Sequence, residues 1–215
     1  MRLLLARGAD ANTADHNGDT VLSDACSLAL VEIAELLLRH GADPRWTHRR
    51  NKETALHAAA RSSPPDPRIV DVMHDAGADL NARSHLDETP LDACVLMNNT
   101  TIARRLLERG ADVNLGHECF GPPLHHAADD DKLAMIDLLI DFGASIELLN
   151  GDDETPLMIA VRHRQWAAAA RLLARGANPE TRNSAGKVAA DFVIFPEDQQ
   201  VWQSLHRAPP PPPPV

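Results

Sequence analysis

The dipeptide Gly-Ala returns six times along this chain, at Gly8, Gly41, Gly77, Gly110, Gly143 and Gly176, in steps of 33, 36, 33, 33 and 33 residues. A fixed period of that length marks a small structural unit that is stacked on its neighbours. Two further features keep phase with it. Thr20, Thr54, Thr89, Pro122 and Thr155 open segments such as Thr54-Ala55-Leu56-His57-Ala58-Ala59 and Thr155-Pro156-Leu157-Met158-Ile159-Ala160. Apolar runs such as Val31–Leu38 and Ile136–Ile140 lead up to the Gly-Ala pairs.

Each recurring residue has a local physical reason. A threonine hydroxyl can accept from the orphan N–H groups at a helix start, and a following proline is pre-set for the first turn. The Leu and Ala residues after it form a short helix with a narrow face, so neighbouring helices can approach closely. The Leu-rich run, apolar at i, i+3 and i+4, predicts a second helix. Glycine ends that helix in the left-handed conformation, and the Asp and Asn that follow, as in Gly110-Ala111-Asp112-Val113-Asn114, suit a tight turn. Residues such as Asp15-His16-Asn17-Gly18 then form the tip of a projecting hairpin. Aromatic residues are only 3% of the chain and tyrosine is absent, as expected where thin layers of Leu, Ala, Ile and Val replace a bulky core.

These segments resemble the ankyrin repeat family. Its T-P-L-H-x-A-A and L-L-x-x-G-A-D-V-N patterns stand nearly intact over residues 1–192. The resemblance implies an all-α repeat solenoid of helix, helix and hairpin, with about five full repeats and partial terminal ones. It also implies an L-shaped stack whose hairpins and short inner helices line a concave groove that binds another protein. His57 and His125, fourth in their segments, resemble structural histidines that bond the hairpin backbone of a neighbouring repeat.

Departures from the period have local causes. The first unit, over Met1–Arg7, reads as the end of a second helix with its first helix missing, and a truncated start or a covering contact is expected there. The step of 36 arises from one extra residue in the Arg45–Glu53 hairpin and two in Ser62–Pro67, where three prolines forbid regular helix. A degenerate first helix follows Gly186. Residues 193–207 read as a capping segment that buries Trp202, and residues 208–215 as a proline-rich tail.

Bulk charge narrows the function classes. The formal net charge of -10 opposes binding to a polyanion, so no nucleic acid partner is expected. No stretch approaches the roughly 20 apolar residues of a membrane span. Cys26, Cys94 and Cys119 form neither a metal-type pair nor a disulfide framework, which points to a reducing, intracellular setting, cytoplasmic or nuclear. A phosphate-cradling glycine loop, H-E-x-x-H and G-x-S-x-G are all lacking, so neither an enzyme nor a cofactor or metal is expected. Asp129-Asp130-Asp131 lacks the spaced ligands and glycine of a calcium loop and reads as a solvated face or a dock for basic residues.

The expected activity is therefore that of a protein-binding adaptor; the alternative is the partner-recruiting portion of a larger protein, such as a ubiquitin ligase or signalling protein. By analogy with the family architecture, contact residues fall at the hairpins and the ends of the inner helices. They are His16, Asn17 and Asp19; Trp46, Arg49, Arg50 and Lys52; His85, Leu86 and Glu88; Glu118 and Cys119; and Gly151, Asp152, Asp153 and Glu154. Arg61, Met97, Asp129, Arg162 and His163 are the candidates on the inner helices. Arg45–Lys52 carries four formal positive charges with an indole and Glu147–Glu154 four negative ones, so a groove basic at one end and acidic at the other is expected.

Overall fold

The computed structural model describes residues 2–117 and 119–206. Glu118, Arg207 and the proline-rich segment 208–215 lie outside the described residues. A first helix, α1 (Arg2–Ala6), is followed by five helix pairs: α2 (Val21–Ser27) with α3 (Val31–Arg39), α4 (Ala55–Ala60) with α5 (Arg68–Asp75), α6 (Pro90–Leu96) with α7 (Thr100–Glu108), α8 (Pro123–Asp129) with α9 (Leu133–Asp141), and α10 (Pro156–Arg162) with α11 (Trp166–Ala174). A 3-10 turn at Ala189–Phe192 and a final helix, α12 (Asp198–His206), complete the order.

The chain divides into two compact units, one ending at Asp112 and the other beginning at Val113. In the first, α2, α4 and α6 pack in one row and α3, α5 and α7 in a second. In the second, α8 packs on α10 and α9 on α11, while the 3-10 turn covers α10 and α12 covers α11.

The rows close because the inner helices carry small residues at their contacts. Counting the Thr or Pro that opens each segment as the first, the sixth position is Ala25, Ala59, Cys94, Ala127 and Ala160, and the seventh is Cys26, Ala60, Val95, Ala128 and Val161; all are buried. Cys26 and Cys94 thus act as small apolar side chains. All three cysteines are unpaired, and burial pushes the Cys26 thiol up to about 12, far from a reactive thiolate.

The 36-residue step has the expected origin. The Thr47–Thr54 bridge encloses one residue more than the Ala14–Thr20 bridge. Seven residues, Arg61–Pro67, join α4 to α5, where the other pairs use three. The final helix packs on α11: Trp202 is buried, and buried Asp198 accepts from Arg164 through Nε at 2.9 Å and Nη2 at 3.0 Å.

On the outer helices one ionic arrangement recurs at intervals of two periods. Arg105 grips Asp71 through Nε and Nη2 at 2.8 and 2.9 Å, and Arg109 pairs with Asp75. In the second unit Arg171 pairs with Asp137 and Arg175 with Asp141 in the same way. Carboxylates in α5 and α9 thereby tie the next outer helix of each unit in register.

Candidate protein-binding surface

The hairpins are held from inside by one side-chain acceptor each. Asp15 Oδ1 accepts from the backbone N–H of Asn17, Gly18 and Asp19 at 2.8 to 3.0 Å. His48 Nδ1 accepts from Arg50 and Asn51, Ser84 Oγ from Leu86 and Glu88, His117 Nδ1 from Cys119 and Phe120, and Asn150 Oδ1 from Asp152 and Glu154. These five residues sit one period apart, and their types differ because the position requires only a short side chain with an acceptor atom. Sequence reasoning missed them for that reason.

Neighbouring hairpins are tied to each other by a second set. Asn12 Oδ1 accepts from Asp43 N–H and its Nδ2 donates to the Gly41 carbonyl. Asn81 accepts from Asp112 N–H at 2.9 Å, and Asn114 from Ser145 N–H at 2.8 Å. Arg45 Nε donates to the Gly77 carbonyl at 2.9 Å, so this cation secures the next repeat instead of standing at the tip.

With the backbone satisfied in this way, the described residues just after the stapling acceptors face solvent. His16 and Asn17, Arg49 and Arg50, His85 and Leu86, and Gly151 and Asp152 are all exposed, as is Cys119. Constant support beneath variable, outward side chains is the geometry of a recognition surface. In the first unit Leu86 is 63% exposed and Met97 54% exposed. Among the described residues Arg49, Arg50 and Lys52 make no ion pair, so their charge is available to a partner.

The predicted histidine roles hold. His57 Nε2 lies 3.0 Å from the Glu88 carbonyl, and His125 Nε2 lies 2.9 Å from that of Leu148. A carbonyl only accepts, so both rings carry their proton on Nε2. Burial holds His57 below the usual histidine range and His125 down to about 4, with the accepting carbonyls opposing the shift. Both are neutral supports of the neighbouring hairpin.

Other candidates are placed differently from expectation. Glu154 is only 4% exposed, and Arg162 Nη1 pairs with its Oε1 at 3.0 Å. It belongs to the wall of the surface and not to an acidic tip, and burial, opposed by Arg162, raises its carboxyl above the usual range. Asp153 is half-buried and accepts from Ser184 N–H at 2.7 Å, which leaves Asp152 as the exposed acid of the tip itself. Asp19 and Glu88 are half-buried. Trp46 is half-buried against the preceding hairpin, and its Nε1 is buried without a partner. It borders an open cavity of about 240 Å³ shared with His16, Asn17, Arg49 and Arg50. Arg61 is clasped by Glu53.

The run Asp129–Asp131 is partly solvated, with Asp130 exposed, and each of its carboxylates also meets a group of this chain. Asp129 pairs with His163, Asp130 with Lys132 Nζ at 2.5 Å, and Asp131 Oδ1 accepts from Ala168 N–H at 2.6 Å at the start of α11. Arg61, Asp129 and Arg162 stand seven residues after the Thr or Pro that opens their segment and Met97 and His163 eight, so these candidates occupy two adjacent positions. Phe120, 58% exposed at the fourth hairpin, was not singled out in the sequence; an apolar ring among polar tips was the available signal. It lies 4.6 Å from the His117 ring centroid and 6.1 Å from that of His126.

Comparison with known proteins gives this geometry its family. Family models described as ankyrin repeats match residues 17–49, 43–117 and 116–183. Human Ankyrin repeat and SOCS box protein 16 is 33% identical over 170 residues, spanning 75% of this chain and 37% of that protein. The mouse B-cell lymphoma 3 protein homolog is 29% identical over 168 residues, spanning 76% of this chain and 37% of its own length. The chain therefore spans well under half the length of these relatives. Among solved structures, the ankyrin repeat domain of human ASB11 superposes with a TM-score of 0.80 at 26% identity, covering 97% of this chain and 92% of that one. The ankyrin repeat domain of Bcl-3 also reaches 0.80 at 24% identity, with 94% and 90% covered, a likeness of fold. With its helix pairs, stapled hairpins and matching models together, the chain belongs to the ankyrin repeat family.

Proposed function

We propose that this chain is a protein-binding module that holds its partner on the hairpin tips and the adjoining ends of the inner helices. The observation that carries the reading is the contrast at the hairpins. Each backbone is fixed by a side-chain acceptor of its own hairpin, while the described residues just after it are exposed and differ from repeat to repeat. A rigid frame lowers the ordering cost of binding, and variable side chains set specificity. Arg49, Arg50, Leu86 and Met97 provide charge and apolar area of the kind that anchors interfaces. An intracellular setting fits the three unpaired thiols.

Peptides selected from a displayed random library against the intact chain test this. Arg49→Glu with Arg50→Glu and Met97→Asp should abolish capture without moving the thermal melt, whereas Arg39→Glu on outer helix α3 should leave capture intact. Capture that survives the hairpin variants and fails with Arg39→Glu would place binding elsewhere.

A second reading makes the module the recruiting part of a larger assembly. It is favoured by the names of its relatives, which include proteins with a SOCS box and an E3 ubiquitin-protein ligase, and by the 37% share of the first of them that the chain spans. Co-purification of the full-length gene product with a ubiquitin-transfer activity would support it, and a full-length product with no further domain would remove it.

A further inference from the structure

In the second unit an open cavity of about 130 Å³ lies between the fourth and fifth hairpins, bordered by Phe120, His125, Asp129, Asp152, Arg162 and His163. That volume falls short of the several hundred cubic ångströms of a small-molecule or cofactor site and suits the head of one side chain. The polar groups around it are not balanced. Arg162 is already held by Glu154 at 3.0 Å, and His163 is already held by Asp129. Asp152 is exposed and makes no ion pair among the described residues. His125 is only 1% exposed, its Nε2–H is spent on the Leu148 carbonyl, and its buried Nδ1 turns toward Gly121 and Pro122, so this ring offers the cavity no polar atom. Arg162 Nε is buried without a partner, and the Asp152 carboxylate is the exposed charged group at the edge that no opposite charge meets among the described residues. With Glu154 met by Arg162 and Asp129 by His163, the carboxylate of Asp152 is left over, so the mouth of the cavity favours a positive donor. An exposed phenyl ring, Phe120, stands at the rim, where its face can take a planar cation.

We infer that this cavity receives the guanidinium of an arginine carried by the bound partner. The inference rests on the protein-binding reading above and names one element of what that surface recognises. A guanidinium supplies five donors in one plane, can meet the Asp152 carboxylate edge-on and can stack on Phe120. An ammonium group offers no plane to stack, and a carboxylate would meet Asp129 and Asp152 with like charge.

The probe is acetyl-arginine N-methylamide, titrated into the ¹⁵N-labelled intact chain and compared with acetyl-citrulline N-methylamide, its neutral isostere. The arginine compound should give saturable shifts at the amides of Asn150, Gly151, Asp152 and Ile159. The citrulline compound should bind about tenfold more weakly, the loss of one desolvated cation contact. Phe120→Ala with Asp152→Asn, both at exposed positions, should abolish the shifts and leave the thermal melt in place. Absence of saturable shifts, equal response to citrulline, or a response that persists in the double variant would overturn the assignment. Failure of the protein-binding reading is read separately: selected peptides that bind the hairpins yet lack arginine, and are not displaced by the arginine amide, would sink this pocket alone.

Discussion

Thr54 Oγ1 and His57 Nδ1 lie 2.9 Å apart, and the Thr54 N–H points at the same nitrogen from 3.1 Å, so the opening threonine of the second repeat satisfies the histidine that braces the next hairpin. In the fourth repeat Pro122 stands where the threonine would be. It has neither N–H nor hydroxyl, and His125 Nδ1 is left buried without a partner. Ser23, Asp92 and Met158, at the same position in the other repeats, are each met by their threonine. Pro122→Thr should therefore stabilise the chain. Relief of a buried unpaired acceptor is worth about 1–3 kcal/mol, against about 0.4–1 kcal/mol lost with the proline's restriction of the unfolded chain. Chemical unfolding at pH 7 would show a net gain of roughly 1 kcal/mol; a loss would mean that Nδ1 is already satisfied, as by an ordered water.

The same two histidines set a dependence on acid. Burial holds both below the usual histidine value of 6.5, His125 at about 4, whereas the unfolded chain titrates near that usual value. As pH falls below 6.5 the unfolded state takes up protons that the native state refuses, so stability is lost progressively until the folded values are reached. For His125 the span from 6.5 to about 4 corresponds to roughly 3 kcal/mol as an upper figure. Urea midpoints measured from pH 7 to pH 4 should fall, and His125→Gln should be less stable at pH 7 yet lose part of that slope.

Asp92 works in the opposite direction. It replaces the histidine in the third repeat and is only 2% exposed; burial raises its carboxyl to about 6, with the Thr89 N–H and hydroxyl at 2.8 Å opposing the shift. Its other oxygen has no partner. Because the folded value lies above the unfolded 3.8, this group favours folding most below 3.8 and that contribution is lost as pH rises through about 6. Asp92→Asn keeps an oxygen for Thr89 and removes the buried charge. It should stabilise the chain at pH 7 by roughly 1–3 kcal/mol, with the gain shrinking toward pH 4. Equal gains at both pH values would show that the carboxylate is not what costs stability.

How much of this was legible in the sequence depended on whether a position demands one residue type or one kind of atom. The Gly-Ala period, the opening threonines and the bracing histidines demand a type, and they fixed the repeat number, the helix pairs and the location of the insertions. The hairpin acceptors Asp15, His48, Ser84, His117 and Asn150 share only an acceptor atom, so no residue pattern exposes them. Charge was misread at Glu154 because a run of acids looks like a solvated tip until its partner is known. That partner, Arg162, is eight residues on, the spacing that also joins Glu53 to Arg61, and it was readable once two examples are compared. Phe120 and the unbalanced cavity beside it depend on side chains from two hairpins and two inner helices meeting in space, which spacing alone does not give.

Lys52 offers a way to separate support from recognition at a single residue. Its φ is 55°, in the left-handed region, at the place in the hairpin where the first and last hairpins carry Gly18 and Gly186 with φ of 99° and 74°. A lysine there costs about 1–2 kcal/mol, whereas glycine meets the same geometry at an entropic cost of about 0.5–1 kcal/mol. Lys52→Gly should thus raise stability by roughly 0.5–1 kcal/mol, the difference between those terms. If the lysine is retained for its charge, the same substitution removes one of the three cations of this hairpin, Arg49, Arg50 and Lys52, that make no ion pair among the described residues. Association with an acidic peptide selected on this surface should then slow, and its dependence on salt should weaken, while dissociation changes little. A stabilised variant that associates at the parent rate at every ionic strength would assign Lys52 no part in binding and leave Arg49 and Arg50 as the cations that matter.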